Sequence, residues 1–150
     1  RGQAWGLYGF TMCYRYTDHM AFLKQAEKIA GYLLNHPNMP EDLVPYWDYD
    51  APGIPQEPKD VSAAAIMASA LYELCRYSEQ GALYKEKADK IMESLASGYA
   101  SEPGGNFGFI LGHSVGAKPM DSEVDVPLNY ADYYYLEALI RLKYLENRSN

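Results

Sequence analysis

Arg1, Gln3 and Trp5 stand within the first five positions of the chain, and together they offer the chemistry of sugar recognition. A guanidinium presents a planar fork to a carboxylate, a Gln amide donates to hydroxyls, and an indole face lies flat against a pyranose ring. Spacings of i, i+2 and i+4 do not all share one helical face, so spacing alone favours a capping Arg and a core Trp. A second set, Val44-Pro45-Tyr46-Trp47-Asp48-Tyr49-Asp50-Ala51-Pro52, puts three aromatics and two carboxylates between prolines. Tyr46 and Trp47 there suit a rigid sugar-binding wall. Asp48 and Asp50 are two apart in an extended segment and point opposite ways, a poor pair for glycoside chemistry, so loop anchoring is the stronger reading for both.

A third stretch reads Gly104-Gly105-Asn106-Phe107-Gly108-Phe109, then Gly112-His113-Ser114-Val115-Gly116-Ala117-Lys118. It is rich in glycine but lacks the spacing of a phosphate-cradling loop. His113 reads either as a ligand contact or as a solvated loop histidine. No Ser/His/Asp or Cys/His set and no metal-ligand spacing is apparent, so neither a metal nor a cofactor is expected. Cys13 and Cys75 lie in apolar runs without CxxC spacing and read as two buried free thiols.

Five helical segments position these residues. The first, about 2–16, and the third, about 60–77, carry apolar residues on nearly every face and read as buried. The second begins at Thr17 or Asp18 and shows a stripe of Phe22, Ala26, Ile29, Ala30 and Leu33. The fourth, about 82–97, shows Tyr84, Ala88, Ile91, Met92 and Leu95, with Gly98 as its stop. The fifth runs from Pro127, at a first helical position, to about 147 and reads as largely buried. Tyr133-Tyr134-Tyr135 cover nearly its whole circumference, so at least one ring is core. Short joints follow the buried helices. Long loops, about 36–59 and 99–126, precede the next buried ones, which gathers both loops at one end with the N-termini of the inner helices. That end also carries the positive ends of the helix dipoles and suits an anionic ligand. The only strand candidate is a short hairpin near 107–111.

The 150 residues are 48% hydrophobic and 22% charged, which excludes disorder, and 14% aromatic, a level at which some rings serve a ligand. A net charge of −7 disfavours nucleic acid and anionic membrane as partners, and no charge-free apolar run is long enough to span a bilayer.

Arg1 to Phe10, Pro45 to Pro52, Lys59-Asp60-Val61-Ser62-Ala63-Ala64-Ala65 and Asp125-Val126-Pro127-Leu128-Asn129-Tyr130-Ala131-Asp132-Tyr133-Tyr134 resemble, in order and spacing, the C-terminal part of unsaturated glucuronyl hydrolases, glycoside hydrolase family 88. The related rhamnogalacturonyl hydrolases typically carry Gly-Asn-Gly-Trp where this chain has Gly2-Gln3-Ala4-Trp5, so the glucuronyl branch is favoured over that alternative. A non-catalytic carbohydrate-binding or scaffold module is the third reading.

The resemblance implies an all-α fold, with residues 1–150 as the C-terminal portion, about five helices, of an (α/α)6 barrel whose inner and outer helices alternate. It implies removal of a 4,5-unsaturated glucuronic acid from oligosaccharides left by a polysaccharide lyase. No catalytic residue falls in the span: the catalytic Asp pair is expected upstream, and the span alone is expected to be inactive. Arg1 and Trp5 match pocket-lining positions, with Gln3 adjacent, and Gly112 to Lys118 resembles a loop that bears on tolerance of sulfated sugars. The expected substrate-binding residues are thus Arg1, Gln3, Trp5, Tyr46, Trp47, His113 and Lys118, with an unsaturated oligosaccharide as the partner.

Overall fold

A computed structural model of the chain describes residues 1–147. Its centre is a helix, α3 (Val61–Leu74), buried along its whole length. Ala63, Ala64, Ala65, Ala68 and Ala70 give it a thin profile, so neighbours pack closely on every side. On one flank lies α1 (Gly2–Thr17), on the other α5 (Asn129–Glu146), and behind them run α2 (Met20–Leu34) and α4 (Gly81–Gly98). α1, α3 and α5 run parallel: Arg1 and Asp60 pair at the helix starts, whereas Arg15, Glu73 and Arg141 meet towards the ends. Three inner helices backed by two outer ones make an arc of an (α/α)6 barrel.

The outer helices follow their sequence stripes. α4 buries Tyr84, Ala88, Ile91, Met92 and Leu95, as expected. α2 buries Leu23, Ala26, Ile29, Ala30 and Leu33; Phe22 is only half-buried, its ring 6.1 Å from that of Phe10. The cap of α2 is His19, whose Nδ1 accepts from the Ala21 N–H, rather than Thr17 or Asp18. Gly81 lets α4 leave α3 tightly, because a Cβ there would meet the Cys75 carbonyl oxygen at 2.3 Å.

The flanking inner helices are less buried than expected. Only Ala4, Leu7 and Thr11 of α1 and Ala131, Tyr135 and Ala138 of α5 are buried, while Tyr133, Leu136, Leu139, Ile140 and Tyr144 of α5 are exposed. α3 has helices on all sides, whereas α1 and α5 each pack against α3 on one side only. α5 also starts at Asn129, because Pro127 and Leu128 remain extended ahead of it. α3 ends at Leu74 and the chain turns at Cys75–Tyr77. Cys13 and Cys75 are free thiols and only half-buried.

The strand pair lies later than the sequence suggested. β1 (Ser114–Ala117) and β2 (Ser122–Val126) pair antiparallel, whereas Phe107 sits almost fully exposed in a tight turn over 106–108. The hairpin turn, Lys118-Pro119-Met120-Asp121, carries none of the Asn-Gly or Asp-Gly signals of a two-residue turn, and Asp121 adopts the left-handed conformation, φ 51°.

Both long loops are bolted down at the N-terminal end of the inner helices. Asp132 on α5 accepts from the Ile110 and Leu111 amides, each at 2.9 Å. Asp42 in the first loop accepts from Lys59 Nζ at 2.5 Å and from the Tyr99 hydroxyl of the second loop at 2.7 Å. Burial works against the Asp42 carboxylate, but the donors of Lys59, Tyr99 and the Val44 amide outweigh it and hold its pKa below the usual range. Lys59 is held above its usual range: burial opposes its charge, and the Asp42 and Tyr99 contacts outweigh that.

Candidate functional site

Asp60 organises the N-terminal rim. An Asp directly before an apolar helical run is a cap, and here Oδ1 accepts from the Ser62 amide at 3.1 Å and the Ser62 hydroxyl at 2.6 Å. The same oxygen takes the Val115 amide at 3.3 Å, and Oδ2 pairs with Arg1 Nη1 at 3.3 Å. Asp60 is 1% exposed, so a charge that would be costly alone is matched on every side. Arg1 completes the joint: Nη1 also donates to the Val115 carbonyl and Nη2 to the Gly116 carbonyl at 2.7 Å. The start of α1, the start of α3 and strand β1 are thereby fixed to one another by two side chains.

Beside this joint lies a cleft of about 370 Å³, lined by Arg1, Trp5, Trp47, Asp60, Gly116 and Lys118 among others. Trp5, 38% exposed, is braced by α5, with its ring 5.1 Å from Tyr134, edge on, and 6.4 Å from Tyr130. Arg1 lies over the Tyr130 ring at 5.4 Å, and burial raises the Tyr130 pKa. Facing them, the Trp47 Nε1–H donates to Glu57 Oε2 at 2.7 Å, with Lys118 Nζ 5.8 Å from the Trp47 ring. The cleft thus offers two indoles, a guanidinium and an ammonium. Arg1 has five N–H groups and makes three bonds within the chain, so it can still donate.

Of the residues expected to bind sugar, the fold brings Arg1, Trp5, Trp47 and Lys118 to this cleft. The other three lie elsewhere. Gln3 is exposed on the first turn of α1 and does not line the cleft. Tyr46 is 9% exposed, bridged to Lys59 in the first loop. His113 lines a separate groove with Tyr99 and Asn106, and its Nδ1 contacts Asp125 Oδ1 at 2.6 Å. Asp48 anchors its loop by accepting from the Asp50 amide at 2.9 Å. Asp60 and Glu57 were not among the expected site residues: the helix-start position of Asp60 hints at its capping role, whereas nothing local marks Glu57.

A larger cavity, about 440 Å³, opens at the opposite end of the inner helices. Glu73, 4% exposed, lies there between Arg15 at 3.0 Å and Arg141 at 2.7 Å. Glu137 accepts from Tyr8 at 3.0 Å and from the Ser69 hydroxyl, and lies 3.4 Å from Arg141. These charged groups satisfy one another.

No protein-family model matches the sequence. The chain is 46% identical over 142 residues to an unsaturated glucuronyl hydrolase of Formosa agariphila, a match covering 94% of this chain and 35% of that protein. Its fold superposes with a TM-score of 0.96, at 50% identity, on the crystal structure of an unsaturated glucuronyl hydrolase specific for heparin, covering 97% of this chain and 40% of that one. Over nearly its whole length the chain is thus similar to one part of the unsaturated glucuronyl hydrolases. It spans between a third and two-fifths of the length of these relatives. A variant of the Streptococcus agalactiae unsaturated glucuronyl hydrolase, complexed with dGlcA-GalNAc6S, matches with a TM-score of 0.84 at 32% identity, over 94% of this chain and 38% of that one. The relatives are named glucuronyl and chondroitin disaccharide hydrolases, which does not favour the rhamnogalacturonyl alternative.

Proposed function

We propose that the protein to which this chain belongs hydrates the C4=C5 double bond of a 4,5-unsaturated glucuronic acid at the non-reducing end of lyase-generated oligosaccharides. A proton adds to C4 and the hydroxyl of water to C5; the C5 hemiketal opens to a ketone, which leaves C1 as a hemiacetal, and its collapse to an aldehyde releases the remaining sugar as an alcohol. The enol ether accepts a proton from a carboxylic acid poised near its working pH. The acid and its partner carboxylate belong to the part of the barrel outside this span, so residues 1–150 hold the substrate-binding arc and not the catalytic pair. Asp60 is committed to Arg1, Ser62 and Val115, and Asp132 to two loop amides, so neither is offered in the acid's place.

The observation that carries this reading is the convergence of Arg1, Trp5, Trp47 and Lys118 on one cleft at the N-terminal rim. Arg1 faces the polar and carboxylate groups of the uronic acid, Trp5 lies against its ring, and Trp47 and Lys118 form the outer wall. Gln3, Tyr46 and His113 lie outside the cleft. The exposed α5 stripe of Tyr133, Leu136, Ile140 and Tyr144 is the face on which the rest of the barrel packs. The test is the loss of ultraviolet absorbance of the conjugated C4=C5 carboxylate when the complete protein is incubated with unsaturated glycosaminoglycan disaccharides. Unchanged absorbance across sulfated and unsulfated disaccharides rejects the proposal.

A further inference from the structure

Glu57 lies in the first long loop with its Oε1 close to Gly53, where a Cβ would stand 2.5 Å away and displace the end of the side chain. From there a single oxygen, Oε2, does two things: it accepts the Trp47 indole N–H at 2.7 Å and lies 3.6 Å from Lys118 Nζ. Lys118 in turn stands over the Trp47 ring. Carboxylate, indole and ammonium close a triangle, and the carboxylate is more enclosed than the ammonium, with Glu57 at 15% exposure against 33% for Lys118. The other cation of the cleft, Arg1, is likewise matched by Asp60. Each cation of the cleft wall thus has a carboxylate partner, Asp60 within the lining for Arg1 and Glu57 outside it for Lys118.

We infer that Glu57 is a positioning and specificity-determining residue: it fixes Trp47 as a stacking wall and masks Lys118, so that the outer wall of the cleft selects a sugar unit carrying no anionic group there. The consequence for substrate choice rests on the sugar-binding reading of the cleft; the masking does not. An ammonium already paired with a partly buried carboxylate gains little from a second anion, whereas a freed one gains a charge-assisted contact. Glu57→Gln keeps an acceptor for the Trp47 N–H and removes the charge that occupies Lys118.

The test is binding of inorganic sulfate to the complete protein by calorimetry, for wild type, Glu57→Gln, Lys118→Met and the double variant. Masking predicts that Lys118→Met changes the wild-type affinity by less than about twofold, that Glu57→Gln tightens it about tenfold, and that the double variant returns to the wild-type value. A tenfold loss in Lys118→Met alone, or no gain in a folded Glu57→Gln, overturns the inference. Should Glu57→Gln not fold, the Lys118→Met arm decides by itself. Absence of hydrolase activity in the wild type would reject the functional proposal and leave these affinities interpretable.

Discussion

The two ends of the inner-helix arc both use arginine and buried carboxylate, and they use them differently. At the rim, the Arg1 fork spends two bonds on backbone carbonyls of strand β1 and one on Asp60, so it clamps loops to helix starts. At the base, Arg15 and Arg141 both converge on Glu73, and Arg141 adds the Ser69 carbonyl, so side chains of three helices are cross-linked to one another. A loop clamp leaves donors and rings facing a cleft. A helix cross-link consumes its charges internally. The base is therefore a stabilising device, where burial and the Glu137 contact raise the Tyr8 pKa, and the rim is the end proposed to bind the sugar.

The sharpest way to break this contrast is Glu73→Ala. It leaves the partly exposed Arg15 without a carboxylate and Arg141 with Glu137 alone, and the expected loss is about 2–4 kcal/mol of stability in urea denaturation. The KM of the molecules that remain folded should hardly move. A large KM change with little loss of stability would assign the base to binding instead.

Asp60→Ala comes next. Removing the α3 cap together with the partner of Arg1 and the Val115 amide is expected to cost about 2–3 kcal/mol. Hydrogen exchange at Val115 should accelerate more than at amides in the middle of α3, because the strand is released first. Equal acceleration at both would show that the clamp is not local.

Arg1→Ala should act mainly on binding, weakening substrate by about 1.5–3 kcal/mol as a rise in KM. Unchanged KM and kcat would remove Arg1 from the site and leave it a clamp only.

The smallest effect concerns the tie between the two long loops. Asp42 titrates lower when folded, so its contribution is complete above the ordinary carboxylate range and is lost as pH falls through its folded value. Lys59 titrates higher when folded, so its contribution is complete below the ordinary lysine range and is lost as pH rises through its own folded value. Asp42→Asn should remove about 1 kcal/mol at neutral pH and flatten this group's share of the acid-side decline in Tm below about pH 4. An acid limb identical to that of the wild type would show that the loop tie contributes nothing.

How much of this was legible varied with distance along the chain. The stripe of α4 was readable to the residue, since a helix with one wet face must place its apolar residues every three to four positions. The convergence of the long loops was readable too, because buried and amphipathic helices alternate. The β1–β2 pair was not: its turn is made by left-handed Asp121, and Glu123 and Asp125 also adopt positive φ without being glycine. Local sequence disfavours that backbone, and contacts across the loop impose it. Burial of α1 and α5 was overestimated for the opposite reason. Apolar residues on all faces state that a helix can be covered, not what covers it.

By itself the sequence determined the helical periodicities, the order of inner and outer elements, and seven candidates able to meet a sugar: Arg1, Gln3, Trp5, Tyr46, Trp47, His113 and Lys118. Those readings depend on residue type and on neighbours within a turn or two. Only the tertiary structure decided that Arg1, Trp5, Trp47 and Lys118 share a cleft while Gln3, Tyr46 and His113 do not, and that Asp60 and Glu57 pair with its cations. The physical reason is range. The Arg1–Asp60 and Arg1–Val115 contacts span 59 and 114 positions, and Lys118 meets a carboxylate from the other long loop, so the charge of the cleft exists only once the chain has folded.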